Sequence, residues 1–320
     1  MGLRLDDLAN TYACFNKQQN MRSKSSSGGI FTVLASYVIK NGGIVYGVTY
    51  DENYMPIHRS AENLADITQF LGSKYVQSNL GSCFQEAKEH LMQGRPVMFT
   101  GTPCQIRGLK GFLKKDYDNL ITMDNICHGV PSPNVWRQHL NEQGDYKKIR
   151  SVEFRNKETG WKNYSIQIDY GDNIYKRTYM EDYYMCSFLH NFSLRPSCYQ
   201  CTVKEENVVS DFTVGDFWGA DKIEKDMDDD KGISLVFLNT DKAQKIWNII
   251  SDELVIKNVS GSEAAKYNPC LKQCVSMPEN RALFFEMLRK GKTVKASYIR
   301  CQEGTIVRRV LRKIKRTLVR

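Results

Sequence analysis

The chain has 320 residues, 41% hydrophobic and 25% charged, enough for one large globular domain or two of ordinary size. No run approaches the ~18 apolar residues of a membrane span, and the opening MGLRLDDLAN has no apolar signal core, so a cytoplasmic protein is expected. Of the net charge of +9, most sits in residues 300–320, which hold eight basic residues and one acid. The body is therefore close to neutral, and no nucleic-acid partner is expected.

Residues 1–24 are polar with few apolar positions. Ser25-Ser26-Ser27-Gly28-Gly29 then precedes a run in which Phe31, Leu34 and Val38 recur at helical spacing, closed by Gly42-Gly43. Serine here suits an N-cap. Glycine also lets free N–H groups at a helix start face a phosphate, so the stretch either caps a helix or cradles an anion. Ile44 to Tyr50 reads as a strand and Leu64 to Leu71 as a helix. Lys74 and Tyr75, in the loop that follows, either hold a phosphate and stack a ring or lie on the surface. A helix over Ser82 to Met92 ends at Gly94.

Two apolar runs follow, each finishing at a cysteine. Pro96 to Thr100 reads as a buried strand, turns at Gly101-Thr102-Pro103-Cys104, and resumes as a helix over Gln105 to Leu113. Leu120 to Ile126 ends at Cys127-His128-Gly129. Strand–helix–strand connections within one sheet are parallel and right-handed, and open α/β sheets bind ligands at the carboxyl ends of their parallel strands. Cys104 and Cys127 are therefore expected at one rim. Beyond a helix over Asn134 to Leu140 the texture changes. Ile149 to Arg155, Tyr164 to Tyr170 and Ile174 to Tyr179 alternate, with a turn at Gly171-Asp172-Asn173, which predicts antiparallel sheet. A helix over Asp182 to Phe192, the acidic loop 225–232 read as solvated, a run over Ile233 to Leu238, a helix over Lys242 to Ile250, a run over Leu254 to Val259 and a helix over Glu279 to Leu288 complete the body. The expected fold is α/β: a mostly parallel or mixed sheet with flanking helices, plus a smaller antiparallel sheet. Its lobes would cover about 1–145 and 146–300, with a tail at 301–320.

Ten cysteines in a reducing compartment point to ligands or redox groups rather than disulfides. Cys198-x2-Cys201 lets two sulfurs face one metal centre. It needs two more ligands, and Cys104 and Cys127 qualify because each sits at a Gly/Pro-rich turn. Four thiolates suit a 4Fe-4S cluster or a structural zinc. Thioredoxin-like chemistry is disfavoured, since no strand–helix–strand context surrounds Cys198. Cys270 and Cys274 read as packing cysteines near a helix start, and Cys14, Cys83, Cys186 and Cys301 as structural or free. His128 is a proton donor or a partner of a carbonyl; Asp216 caps a turn or orients a ligand loop.

Six stretches in order, SSSGGIF (25–31), GSKYVQS (72–78), GTPCQIRGLK (101–110), ICHGVPSP (126–133), LRPSCYQC (194–201) and SDFTVGDFWG (210–219), resemble the coenzyme F-420 hydrogenase/dehydrogenase beta-subunit family. The resemblance implies an oxidoreductase with FAD and a 4Fe-4S cluster. It implies cluster ligands Cys104, Cys127, Cys198 and Cys201. It implies FAD contacts from Ser27, Gly28, Gly29, Lys74, Tyr75, Thr100, Gly101 and Thr102. His128, beside Cys127, is the candidate proton donor on the reading of the residues alone. Many bacterial relatives carry an N-terminal ferredoxin-like segment, whereas residues 1–24 hold only Cys14. Electrons are therefore expected from a separate ferredoxin-like carrier or a reduced deazaflavin, passing to a small substrate, with polysaccharide biosynthesis as the expected setting. The alternatives are an electron-transfer subunit of a larger complex and a zinc-stabilised interaction module without redox chemistry. In the tail, Ile306, Val310, Ile314 and Leu318 recur on one face among arginines and lysines. That pattern makes a basic amphipathic helix over 304–320, which either contacts an anionic membrane peripherally or packs on the body with its charges solvated.

Overall fold

The computed structural model describes residues 10–204 and 210–302. The basic stretch 304–320 lies outside them. Eleven strands run in chain order: β1 (Thr11–Asn16), β2 (Ile44–Tyr50), β3 (Pro56–Ala61), β4 (Val97–Gly101), β5 (Leu120–Asn125), β6 (Ser151–Asn156), β7 (Ser165–Asp169), β8 (Ile174–Thr178), β9 (Phe212–Asp216), β10 (Ser234–Leu238) and β11 (Leu254–Asn258). Eight of them form one sheet in the order β11-β1-β10-β9-β5-β4-β2-β3, and β6-β7-β8 form a second. At the centre of the large sheet, β2, β4, β5 and β9 pair in parallel. The flanking pairs are antiparallel, as are those of the small sheet. The large sheet thus draws strands from both of the lobes expected from sequence.

Among the helices of the described residues are α1 (Gln19–Lys24), α2 (Ile30–Lys40), α3 (Cys83–Met92), α4 (Pro103–Leu113), α5 (Pro133–Gln143), α6 (Tyr183–Leu189), α7 (Ala220–Ile223), α8 (Asp241–Ile250), α9 (Gly261–Lys266) and α10 (Arg281–Arg289). Strand alternation assigns their places. Val45, Met98 and Ile121 point to the face covered by α2 and α8. Ile44, Tyr46, Val97, Phe99 and Leu120 point to the face covered by α3 and α4. With both faces covered, β4 is buried from Val97 to Thr100, which is why it reads as a continuous apolar run. The small sheet has its own core with α5, α6 and α10, built on Trp136, Phe154, Ile166, Tyr184 and Phe284.

Several elements differ from the sequence reading. The helix expected over Leu64 to Leu71 is a 3₁₀ segment, Asp66–Phe70. β1 is a strand where no element was expected, because its polar groups are satisfied internally: Asn16 Nδ2 donates to Thr32 Oγ1 at 3.0 Å. β3 starts at Pro56 on the sheet edge, where no ladder N–H is needed. The acidic loop is not merely solvated. Asp229 takes both Nη groups of Arg22 at 2.7 and 2.6 Å, and Arg22 Nε donates to the Gly232 carbonyl at 2.9 Å. Lys157 Nζ donates to the carbonyls of Arg22, Ser27 and Lys231. Together they fasten the serine–glycine stretch to the sheet.

Gly28 is where that stretch crosses the sheet. A Cβ there would lie 2.3 Å from the Cys14 carbonyl oxygen and 2.7 Å from the Ser234 nitrogen. Both are backbone atoms and neither can swing aside. Gly28→Ala is expected to cost about 3 kcal/mol, seen as a lower urea midpoint with unchanged slope.

Candidate functional site

A cavity of about 500 Å³ lies where the carboxyl ends of β4, β5 and β9 face the small sheet and α6. Its position follows from the parallel centre of the sheet. Ser27, Gly29, Lys74, Tyr75, Thr100, Gly101, Thr102, Cys127 and His128 line it. Of the residues expected to contact a cofactor, Gly28 stands outside the lining and packs on β1 and β10 instead.

The serines do not cap α2. Ser27 Oγ donates to the Ile233 carbonyl at 2.6 Å, Ser25 Oγ to the Met21 carbonyl at 2.7 Å, and Ser26 pairs with Ser73 at 2.7 Å. The N-cap is Gly29, at φ 91°, with no side-chain cap. The first N–H groups of an eleven-residue helix are thus left without a side-chain partner beside the cavity. Lys74 is held by its own loop: Nζ donates to the carbonyls of Phe70, Leu71 and Gly72 at 3.3, 2.8 and 3.3 Å. Burial brings its pKa down to about 7. Thr100 Oγ1 is spent on the Tyr46 carbonyl. Thr102 begins α4, with Gln105 reaching back to its N–H at 2.9 Å and its hydroxyl 3.2 Å from Cys104 Sγ.

The thiols come from three segments. Cys104 opens α4, Cys127 follows β5, and Cys198 lies in the 3₁₀ turn Pro196–Gln200, just before Cys201. Cys104 and Cys198 lie near enough to raise the Cys127 thiol, and Cys104 and Cys201 near enough to raise that of Cys198. Val130 N–H points at Cys198 Sγ at 3.5 Å. At Gly129, φ 144°, a Cβ would meet the Cys198 Cβ at 3.4 Å. Burial pushes the Cys127 thiol up to about 12, against the pull of Lys204, whose Nζ donates to the Cys127 carbonyl. A thiol raised this far becomes a thiolate at neutral pH only beside a positive centre. Among the described residues, no three His, Cys, Asp or Glu side chains form a ready site for a single metal ion.

Four further groups belong to the site, and sequence reasoning missed or undervalued them. Cys270 and Cys274 are not core-packing cysteines. Cys270 lines the cavity with Sγ 3.5 Å from His128 Nδ1. Cys274 Sγ accepts from Cys201 N–H at 3.2 Å and donates to the Cys201 carbonyl at 3.3 Å. Asp124, at the end of β5, is buried on the cavity wall. Burial pushes its carboxyl up to about 7 in spite of hydrogen bonds from Thr213 and Ser210 and the charge of Lys110. Arg155, on β6, donates from Nη1 to Asp216 Oδ2 at 2.7 Å and to Tyr75 OH at 3.0 Å. That makes Asp216 the counter-ion of a buried arginine. The Cys270-x3-Cys274 spacing was a signal for the first pair. Nothing in the local pattern marks Arg155, which sits in an ordinary alternating strand.

Family models for the coenzyme F420 hydrogenase/dehydrogenase beta subunit match this chain, the N-terminal model over residues 11–85 and the C-terminal model over 94–263. The chain belongs to the coenzyme F420 hydrogenase/dehydrogenase beta-subunit family. A redox role follows from that membership. The fold is also similar to that of a chain in the F420-reducing [NiFe] hydrogenase complex from Methanosarcina barkeri. The TM-score is 0.54 at 17% identity, covering 81% of this chain and 89% of that one. No curated protein sequence matches. Among the described residues, no helix is long and apolar enough to cross a membrane.

Asp124 offers a test of the cavity's electrostatics. It holds its proton more tightly folded than unfolded. Its stabilising contribution is therefore present below its ordinary pKa of 3.8 and is lost as pH rises to about 7. Asp124→Asn keeps an oxygen acceptor for Thr213. Relative to the unsubstituted chain it should gain roughly 3 kcal/mol between about pH 5 and about pH 8, measured by urea unfolding; parallel stability curves would contradict the assignment.

Proposed function

We propose that this family member is an FAD- and 4Fe-4S-dependent oxidoreductase. It would pass electrons between a carrier, ferredoxin-like or a reduced deazaflavin, and a small substrate, in the setting of polysaccharide biosynthesis. The observation that carries this reading is the position of Cys127. It lines the cavity, and Cys104 and Cys198 lie near enough to raise its thiol pKa. A group bound by that sulfur and a group in the cavity would be next to each other.

The residues fit both groups. For the flavin dinucleotide, the α2 start at Gly29 leaves N–H groups for a phosphate. Arg155 lines the same cavity with Nε and Nη2 buried and unpartnered, an incomplete polar set that a ligand's acceptors would complete. For the cluster, Cys104, Cys127, Cys198 and Cys201 supply four thiols, with Lys204 near Cys127 to offset their charge. The cluster would supply single-electron relay and the flavin its conversion to a two-electron transfer.

What the chain does around these groups follows from its own side chains. The backbone at Gly101 and Thr102 lines the cavity, as does Tyr75, whose ring is tilted against Phe188 at 5.1 Å. Lys74, with its pKa lowered to about 7, can take up a proton when negative charge develops beside it. Burial lowers the pKa of His128; it is the proposed proton donor to the substrate once negative charge beside it has brought the imidazole its second proton.

A second reading is favoured by the structural similarity to a subunit of a hydrogenase complex: an electron-transfer subunit that works with a partner chain. Anaerobic iron, sulfide and flavin analysis tests both readings together. The expected content is about four iron and four sulfide with one FAD per chain. Cys127→Ser is expected to lose the iron, while Cys83→Ser, whose thiol is buried in the core between α3 and α4, retains it. Colourless protein carrying zinc would overturn both readings.

A further inference from the structure

The four thiols assigned to the cluster are not equally covered. Among the described residues Cys104 is the one exposed cysteine, while Cys127, Cys198 and Cys201 are half-buried. Electron tunnelling falls off steeply with distance. A carrier would therefore meet this chain on the side where Cys104 reaches the surface. The segments on that side are tied to one another. α4 packs against the 3₁₀ turn Thr202–Lys204. Lys204 Nζ donates to the carbonyls of Cys127 and Gln273, and Cys274 Sγ pairs with the backbone of Cys201.

The charge there is one-sided. The stretches that build this side, 101–113, 126–140, 193–204 and 268–277, hold Arg107, Lys110, Arg137, Arg195, Lys204 and Lys272 and no aspartate or glutamate, although the chain as a whole has 36 acids. Outside these stretches and residues 300–320, acids outnumber bases. Arg107, Arg195 and Lys272 are exposed. α4 begins at Pro103, so the positive end of an eleven-residue helix lies beside Cys104 and adds to the same field. Glu205 and Glu206 follow Lys204 in sequence and lie outside the described residues.

We propose that the face around Cys104 is the docking site of a small acidic electron-carrier protein, whose carboxylates meet Arg107, Arg195 and Lys272. This rests on the reading of the four thiols as a cluster site, and it selects between the two carriers left open there. A reduced deazaflavin gives up a hydride and would have to enter the cavity. A protein carrier exchanges one electron across the surface: the carrier loses it, the thiol-bound centre gains it, and no bond forms or breaks. A rim of exposed charges suits such a partner, because it speeds encounter without holding the complex long.

The test is binding of the full-length, anaerobically purified chain to an acidic two-cluster bacterial ferredoxin, followed by biolayer interferometry. Binding should be present at about 0.02 M salt and largely lost by about 0.5 M. Arg195→Glu and Lys272→Glu, in separate segments, should each weaken it about tenfold at low salt. Lys40→Glu, at the end of α2 away from the cavity, should leave it unchanged, and basic cytochrome c should not bind. Absence of ferredoxin binding, or equal losses in all three variants, overturns the proposal. So does equal affinity for a short DNA duplex, which would make the face a general polyanion site. Iron analysis of the same samples separates the two readings. A chain that holds iron but binds no ferredoxin sinks the docking face alone. A chain without iron that still binds through Arg195 and Lys272 sinks the cluster assignment and supports the face.

Discussion

The parallel register of β4 against β5 is the constraint on which the site depends. Gly101 lies opposite Asp124, so the two strands end together and their following turns emerge side by side. One turn enters α4 at Cys104 and the other runs through Cys127 and His128. β9 continues the register, with Val214 opposite Asn125, and brings Asp216 to the same edge. A slip of one residue would turn Val97 and Phe99 out of one core and Met98 out of the other. The positions of the sulfurs are thus secured by the packing of both faces of the sheet.

The small sheet closes the cavity and supplies its charge. Arg155 is buried, and its cost is offset by Asp216, Tyr75 and the face of Tyr164, 4.0 Å from the guanidinium carbon. Elsewhere on the wall, four ionisable groups are held toward their neutral forms. Burial raises Asp124 and Cys127 and lowers Lys74 and His128. Such a wall changes protonation at small energetic cost when charge appears beside it. The long-range fastening of residues 22–29 by Arg22, Asp229 and Lys157 keeps the α2 start rigid against that wall.

The sequence made the chemistry-bearing turns legible because they interrupt apolar runs. GTPCQ and ICHGV each follow a buried strand, and buried parallel strands announce themselves by continuous hydrophobicity. The antiparallel sheet was equally legible, through alternation and a Gly-Asp-Asn turn. β1 was not, because Thr11 and Asn16 hide a buried strand behind polar side chains that find partners only in the fold. The roles of the serines in SSSGG were likewise hidden. They bond to Ile233, Met21 and Ser73, partners that no local pattern reveals. Cys270 and Cys274 looked like packing residues because the sequence does not show that their turn folds back onto His128 and Cys201. Arg155 carries no local signal at all; its meaning comes from contacts 61 and 80 residues away.

Anomalous diffraction at the iron absorption edge, from crystals grown without oxygen, tests the central claim most directly. The account predicts one compact iron peak enclosed by Cys104, Cys127, Cys198 and Cys201, at the end of the cavity where Cys127 forms the wall. Iron enclosed instead by Cys198, Cys201, Cys270 and Cys274, or no iron beside Cys127, would contradict it.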